Sequence, residues 1–291
     1  MKLSSIVAPK EKEKELRPAA SAPKKFALLG CGKLGTILIQ AFLERGLVEK
    51  NEVIVTIQHE DRRQAVSKQL GGVAAGTDNC AAVAGARMVL ICVKPQVMPQ
   101  LLREIAPALQ PGALVISVVT STTLAFMQQQ LGDHVPVIRA MPNTPVIVGA
   151  GMTALAASSS AGPSHLETTK RLFDSVGRVA VVDEKHMDAI TALSASGPAF
   201  VFVILESLAE AGVKVGLPRE LATTLAAQTL FGAAQLALQT GHHPALLKDA
   251  VTTPAGCTIE GLIELEKGGL RVTLINAIIK TASRAHELMT S

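Results

Sequence analysis

The 291-residue chain has no tryptophan and no tyrosine, and aromatic residues make up only 2% of it. So few rings argue against binding modes that stack bases or sugars on aromatic side chains, including single-stranded nucleic-acid binding. Excess charge is also scarce. Residues 1–25 hold seven of the 28 Lys and Arg and three of the 24 Asp and Glu, which leaves 21 of each sign elsewhere. The rest of the chain therefore has no basic footprint for nucleic acid.

Paired cysteines, metal-ligand patterns and long uninterrupted apolar runs are missing as well. Cys31, Cys80, Cys92 and Cys257 lie far apart with no C-x-x-C, as expected in a reducing compartment. No uninterrupted apolar run approaches the roughly 18 residues of a membrane span. Residues 1–25 alternate in charge and lack the apolar core of a secretory signal, so we predict a disordered tail. These absences predict a soluble, cytoplasmic protein with no metal, membrane or nucleic-acid partner.

The composition, 48% hydrophobic, is that of a folded chain, and the spacing of the apolar residues differs between its two halves. Up to about residue 183, short β-branched runs alternate with amphipathic segments. The expected strands are 26–30, 52–57, 88–93, 113–119 and 136–140, extended by 151–157 and 177–183, and the early helices are 33–45, 60–70 and 96–107. Near-continuous apolar strands separated by helices indicate a parallel sheet covered on both faces. We predict an α/β fold with a Rossmann-like, doubly wound sheet over residues 26–184.

The second half, residues 185–291, has helical spacing throughout. One helix is expected to begin at Pro218 and to end at Gly241, and two more span about 258–267 and 270–288. The stretch AFVFVILESLA has little polar face, so a helix there must be buried on several sides. This predicts an all-helical dimerisation domain and a homodimer or an assembly of dimers. The alternative is one compact domain around a central helix.

The stretch FALLGCGKLGTILIQAF contains G-x-G-x-x-G between a predicted strand and a predicted helix. In that context Gly30 allows the tight turn, Gly32 lets the backbone approach a pyrophosphate, and Gly35 permits close helix–strand packing. The N–H groups at the helix start then favour the phosphate charge. A strand–turn–helix that needs glycine for geometry alone is the weaker interpretation. We predict a dinucleotide site.

The preferred dinucleotide follows from the end of the second strand. NAD sites usually place an acid there for the ribose hydroxyl, but this chain has Thr56-Ile57-Gln58-His59. His59, Arg62 and Arg63 could neutralise a 2′-phosphate, although Glu60 and Asp61 lie close by and both arginines could instead belong to a solvated helix face. NADPH is therefore preferred, with NADH possible. Lys94 follows the third predicted strand and is either a cofactor contact or a surface lysine.

The segment LKDAVTTPAGCTIEGLIELEKGG contains a second pattern typical of ligand binding, a tight loop followed by a helix. Pro254, Ala255 and Gly256 form a tight loop before a helix, with Thr258 as the expected N-cap. Such a loop presents backbone N–H groups and hydroxyls to an anion such as a carboxylate. On spacing alone, a simple cap is the stronger interpretation of Thr258.

This segment resembles the signature of pyrroline-5-carboxylate reductases, and the resemblance runs from about residue 26 to 288. It includes GCGKLG, VKPQ, MPNTP, SASGPAF and EAGVKVGLPRELA in order. The resemblance implies NAD(P)H-dependent reduction of 1-pyrroline-5-carboxylate to L-proline, the last step of proline biosynthesis. It also implies an intertwined dimer and leaves open that the substrate loop comes from the partner subunit.

Carried over by motif, the resemblance implies two sets of site residues. The cofactor set adds Cys31, Lys33, Leu34, Asn79, Val93, Lys94 and Thr120 to the three glycines. The substrate set is Ser196, Gly197, Thr253, Gly256, Cys257 and Thr258, with Thr258 as the catalytic hydroxyl that donates to the ring nitrogen. Cys31 and Cys257 stand where smaller residues are common in the family, and Ala250 stands where some members have Asn.

Two other functions remain open from the residues. A β-hydroxyacid dehydrogenase also pairs a Rossmann domain with a helical one, but it uses a lysine on an inter-domain helix, and residues 187–213 contain no lysine. A non-catalytic NADPH-binding sensor is the third possibility. Turnover with the cyclic imine distinguishes the first function from both alternatives.

Overall fold

The computed structural model describes residues 25–290, and their side chains up to Leu288. The predicted tail, residues 1–25, lies outside this range except for Lys25. Within it, an eight-stranded sheet is followed by helices alone, which confirms the predicted fold class.

The sheet contains every predicted strand, because most of these runs are apolar enough to be buried on both faces; the run over 177–181, at the sheet edge, is partly exposed. The strands are β1 (Phe26–Leu29), β2 (Val53–Thr56), β3 (Ala74–Gly76), β4 (Met88–Ile91), β5 (Leu114–Ser117), β6 (Val137–Pro142), β7 (Gly151–Ala157) and β8 (Gly177–Val181). Their order is β3-β2-β1-β4-β5-β6-β7-β8. The first six follow the order of dinucleotide-binding sheets, in which ligands bind at the reversal beside β1.

Two features of the sheet differ from the sequence expectation. β6 and β7 pair antiparallel, with Ala140 opposite Leu155, whereas the expected sheet was parallel. The connection of residues 143–150 is too short for the crossover that a parallel pair needs. β3 was not expected, because Ala-Ala-Gly has no β-branched residue to indicate a strand.

Helices cover both faces of the sheet and then form the second half. They are α1 (Lys33–Glu44), α2 (Arg63–Gln69), α3 (Asn79–Val83), α4 (Met98–Ile105), α5 (Leu124–Leu131), α6 (Pro163–Asp174), α7 (Met187–Ile190), α8 (Gly197–Lys214), α9 (Arg219–Thr240), α10 (Pro244–Ala250), α11 (Cys257–Lys267) and α12 (Leu270–Thr290). As predicted, α9 follows Pro218 and ends at Gly241, whose φ of 65° suits glycine.

The sheet has a separate apolar core on each face. On one face, Leu38 and Phe42 of α1 pack with Val66 of α2 and Phe173 of α6, and the Phe42 ring meets that of Phe173 edge-on at 5.9 Å. On the other face, residues of α3, α4 and α5 are buried against the strands. Two buried faces position the carboxyl ends of the parallel strands at one open edge.

The second half is apolar on its outside. Helices α8 and α9 form a hairpin, where a Cβ at Gly212 would lie 2.9 Å from that of Ala222. Large apolar side chains stay exposed on both helices: Val201, Phe202, Val203, Leu208, Leu221, Leu225, Phe231, Leu236 and Leu238. The alternative of a compact domain around a central helix is therefore wrong for this chain.

Two helical stretches are long and apolar enough to cross a membrane. They are Glu184–Lys214 and Arg219–Thr240, with mean hydropathies of 1.7 and 1.3. Neither stretch is an uninterrupted apolar run: Glu206 and Glu210 interrupt the first, and threonines and glutamines interrupt the second. Only 6% and 11% of the two apolar windows are buried within one chain. The apolar surfaces of these helices therefore lack cover within one chain. That the protein has no membrane partner stays a prediction.

Candidate active site

The glycine loop joins β1 to α1 at the open edge of the sheet. Gly30 has a φ of 85°, and a Cβ there would lie 2.7 Å from a methyl group of Val93. At Gly35 a Cβ would lie 2.9 Å from the Gly30 carbonyl oxygen, so this glycine brings the helix against the strand. The Cys31 N–H donates to the Thr56 carbonyl at 2.7 Å and ties the loop to β2.

Gly32 leaves open space where a side chain would stand. A Cβ built there meets no protein atom within 4 Å, and no side chain caps α1 at this N-cap residue. The first turn, which includes Lys33 and Leu34, contains no acidic residue. Free N–H groups and an open cradle at a helix start fit a pyrophosphate. The loop residues therefore fit a dinucleotide.

Cys31 is buried beneath the loop and stays uncharged. Burial raises the pKa of its thiol, against a hydrogen bond to Thr36 at 3.4 Å and the nearby charge of Arg62. Burial also raises the pKa of the Cys92 thiol. Neither sulfur brings negative charge to the phosphate site.

The end of β2 carries the residues expected to select the cofactor. His59 and Arg62 are both exposed, and Arg62 lies close enough to the loop for its charge to act on Cys31. Glu60 accepts from Arg63 at 2.9 Å and from the Thr77 hydroxyl at 3.4 Å. The Arg63 guanidinium offsets part of the charge of Glu60, so this carboxylate opposes a 2′-phosphate less.

The ends of β4 and β5 share a second part of the crevice. Lys94 is exposed and precedes the turn Pro95–Val97. That turn and the segment Thr120–Thr123 line a cavity of about 520 Å³. Asn79 lies past the end of β3, at the start of α3, where its amide donates to Glu104 of α4 at 3.2 Å. All the predicted cofactor residues thus lie beyond the carboxyl ends of the parallel strands, at the same edge of the sheet.

One cavity lies between the sheet and the helical half. It measures about 370 Å³ and brings Thr120 and Ser121 together with Thr191 and Ser196. A π-helical turn, Thr191–Ala195, separates α7 from α8 and places Thr191 and Ser196 there, with Gly197 as the first residue of α8. Such turns are frequent at functional sites. Lys280, Thr281 and Arg284 of α12 complete the wall.

The predicted substrate segment lies elsewhere in the single chain. Neither cavity is lined by a residue of 253–258, and Thr253 and Cys257 are exposed. The expectation that Thr258 is the N-cap is wrong: Gly256 is the N-cap, α11 begins at Cys257, and no side chain caps it. A Cβ at Gly256 would lie 2.3 Å from the Thr253 hydroxyl, so only glycine closes this turn. Thr258 is left with a hydroxyl in the first turn.

Backbone strain occurs both in the loop after β5 and in the predicted substrate segment, residues 253–258. Among residues 25–290, the non-glycine residues with positive φ are Ser121, at 58°, and Ala255, at 54°. Strained residues cluster at ligand sites. One adjoins Thr120 and the other adjoins Gly256, although the two segments are 134 positions apart in sequence. Sequence reasoning gave no role to Ser121.

Sequence reasoning also missed an ion pair between a buried arginine and a partly exposed glutamate at the junction of the two halves. Arg139 of β6 is 1% exposed and donates to Glu184 at 3.2 Å. The signal was present, because an arginine inside an otherwise apolar strand needs a buried partner. No group of three metal-ligating side chains occurs in the described part of the chain.

Comparison with known proteins supplies the family. A family model described as pyrroline-5-carboxylate reductase dimerisation matches residues 184–288, and one described as NADP oxidoreductase, coenzyme F420-dependent, matches residues 25–121. The pyrroline-5-carboxylate reductase of Synechocystis is 43% identical over 258 residues, which cover 87% of this chain and 96% of the relative.

Two solved structures have the same fold over almost their full length. A pyrroline-5-carboxylate reductase from Coxiella burnetii superposes with a TM-score of 0.83 at 32% identity, covering 92% of this chain and 99% of that chain. The Plasmodium falciparum pyrroline carboxylate reductase, solved with NADP bound, also gives 0.83, at 26% identity and with 91% and 98% covered. Since the match to the Synechocystis relative extends over both halves, the chain belongs to the pyrroline-5-carboxylate reductase family.

Proposed function

We propose that this enzyme reduces 1-pyrroline-5-carboxylate to L-proline, with NADPH as the usual hydride donor and NADH as a possible one. The observation that carries the proposal is the cavity in which Thr120, from the cofactor side of the sheet, meets Ser196 of the helical half. It places a small, hydroxyl-lined space beside the dinucleotide crevice, as reduction of a small imine requires.

The chain's own residues provide binding and a proton-donating hydroxyl rather than an acid–base pair. When bound, the cofactor would supply a hydride to the carbon of the C=N bond, and the ring nitrogen would take up one proton, relayed from water through the Thr258 hydroxyl, to become the amine. The uncapped start of α11 holds the substrate carboxylate through backbone N–H groups. The Thr258 hydroxyl donates a hydrogen bond to the ring nitrogen. Alignment and exclusion of water supply the remaining rate enhancement.

The test is direct. Purified protein is mixed with NADPH and pyrroline-5-carboxylate, and the loss of absorbance of the reduced cofactor is followed. We expect turnover to proline. Oxidation of a 3-hydroxy acid without imine turnover would instead support a β-hydroxyacid dehydrogenase, and cofactor binding without any turnover would support a sensor.

We propose that the substrate site is completed by a second copy of the chain. The 253–258 segment is exposed within one chain, and α8 and α9 expose their apolar faces. Pairing these faces buries them, and it allows the α11 start of one chain to reach the crevice of the other. The match to a dimerisation family over residues 184–288 supports this arrangement.

A charge on this apolar face should break the assembly. Phe231 of α9 is 60% exposed in the single chain. We expect Phe231→Asp to convert the dimer into monomers and to abolish activity, because burying an unpaired carboxylate is strongly unfavourable. Sedimentation velocity measures the mass. Val148→Asp, at a 75% exposed apolar position on the sheet half, is the control and should sediment as wild type. A dimeric Phe231→Asp protein would contradict this interface.

Arg62 should control the choice of cofactor. We expect Arg62→Ala to lower kcat/KM for NADPH about 10-fold, since a charge-assisted hydrogen bond to the 2′-phosphate is lost. The value for NADH should stay within about twofold. Arg171→Ala, at an exposed position of α6, is the matched control. Equal losses with both cofactors would remove Arg62 from the discrimination.

We propose that the enzyme acts in the cytoplasm on a small molecule, without nucleic acid or membrane. The match of both apolar helices to the dimerisation family supports subunit contact as the use of their exposed faces. The free cysteines of the described residues are consistent with a reducing compartment. Purification without detergent as a dimer would support it, and recovery only in the membrane fraction would contradict it.

A further inference from the structure

We propose that Glu184 is a positioning residue that fixes the β5–α5 loop, and thereby Thr120, against the helical half. The proposal rests on the proposed function, because it concerns the geometry of that same reaction. Its basis is one carboxylate oxygen shared between two parts of the fold. Glu184 Oε1 accepts from the Leu124 N–H at 2.7 Å and from Arg139 Nη1 at 3.2 Å.

The first contact caps a helix from a distant part of the chain. Leu124 is the first residue of α5, and its N–H has no partner within the helix. The Thr123 hydroxyl accepts from Phe126 at 3.1 Å, so two side chains hold the first turn. A carboxylate at a helix start is also favoured by the helix dipole. Glu184 therefore fixes where α5 begins.

The start of α5 determines the course of the loop before it. At its other end the loop is held by the Val118 N–H, which donates to the Ile91 carbonyl of β4 at 3.0 Å. Between these anchors lie Thr120 and Ser121, the latter in the left-handed region with a φ of 58°. A strained residue keeps this conformation only where its surroundings enforce it. Release of one anchor lets the loop relax and moves Thr120.

The second contact fixes the carboxylate itself. Arg139 is buried in β6, in the middle of the sheet, so it provides a rigid cation. Glu184 is the first residue of the helical stretch Glu184–Lys214, whose Thr191 and Ser196 line the 370 Å³ cavity together with Thr120. One side chain thus sets the separation of the two cavity walls, on which hydride transfer distance depends.

The experiment compares Glu184→Ala and Glu184→Gln with wild type. We expect Glu184→Ala to lower kcat about 10- to 100-fold, since displacement of a site by about 1 Å has effects of that size. The Kd for NADPH should change far less than kcat, because Thr120 is the one predicted cofactor residue that moves, while the glycine loop and Arg62 are untouched. Glu184→Gln keeps an acceptor oxygen without the charge and should recover part of the rate.

A kinetic isotope effect separates positioning from loss of folded protein. With NADPH deuterated at the transferred hydrogen, the effect on kcat should rise in Glu184→Ala, because a misplaced loop slows hydride transfer itself. A smaller active fraction leaves the isotope effect unchanged. Asp174→Asn, which removes an exposed ion pair with Lys170 on α6, is the matched control and should match wild type in every value.

The outcomes are distinguishable. An unchanged kcat and isotope effect in both Glu184 variants, with active wild type, would overturn the positioning role. If Glu184→Ala does not fold, Glu184→Gln decides: a lowered kcat with a raised isotope effect supports the role, and wild-type values overturn it. Wild type that fails to reduce the imine would instead overturn the proposed function.

Discussion

Replacing Thr258 by alanine is expected to lower kcat/KM about 10- to 1,000-fold, equivalent to about 1.4–4 kcal/mol of transition-state stabilisation. The physical reason is the place of its hydroxyl in the first turn of α11, beside the uncapped N–H groups. As nitrogen changes from imine to amine, a donor held there becomes more valuable in the transition state than in the ground state. Steady-state kinetics with pyrroline-5-carboxylate measure the loss.

Two variants control this prediction. Thr258→Ser keeps the hydroxyl and should retain most of the activity. Thr252→Ala removes a hydroxyl of the same loop that donates to the Lys248 carbonyl in the last turn of α10, so its kcat/KM should stay within about twofold of wild type. Since Gly256 is the N-cap, loss of the Thr258 side chain leaves the cap in place. An unaltered rate in Thr258→Ala would exclude its hydroxyl from the chemistry.

Replacing Gly32 by valine is expected to weaken NADPH binding at least about 100-fold while the dimer stays intact. A Cβ at Gly32 meets no protein atom within 4 Å, so the protein tolerates the side chain. The same space is where the pyrophosphate approaches the backbone, and valine fills it. Calorimetric titration with NADPH measures the affinity, and sedimentation measures the dimer.

Gly162→Val is the matched control for that substitution. Gly162 is also the N-cap of a 12-residue helix, it has extended backbone, and its Cβ position is equally open. It lies before α6, on the antiparallel side of the sheet and away from the crevice. We expect its NADPH affinity to equal that of wild type. Comparable losses in both variants would indicate general destabilisation rather than a blocked phosphate cradle.

The local sequence pattern was sufficient to predict most of the strands and helices. Runs such as EVIVTI and MVLICV became β2 and β4, because β-branched apolar residues can be buried on both faces of a sheet. Pro218 and Gly241 bounded α9 as expected, since each acts on the backbone of its own position. The short β3 was missed because Ala-Ala-Gly has no β-branched residue, and only the direction of β7 was missed, because it depends on the short connection from β6.

The candidate site was less accessible to sequence reasoning. Each cofactor residue could be placed at a strand end, and those positions lie along one edge in the structure. The role of each residue stays a prediction. The meeting of Thr120 with Ser196 could not be foreseen, since a π-helical turn creates it. Arg139 in an apolar strand indicated that a partner was needed, but that partner, Glu184, lies 45 positions away and could not be identified from the local sequence.

The sequence by itself determined the order of strands and helices, the glycine loop that suits a dinucleotide, and the family. These depend on backbone preferences and periodicity, which act over a few residues. Only the tertiary structure decided which hydroxyls share a cavity, which carboxylate anchors the β5–α5 loop, and that α8 and α9 lack cover within one chain. Such contacts arise when distant segments pack, so their geometry depends on the whole fold rather than on any local pattern.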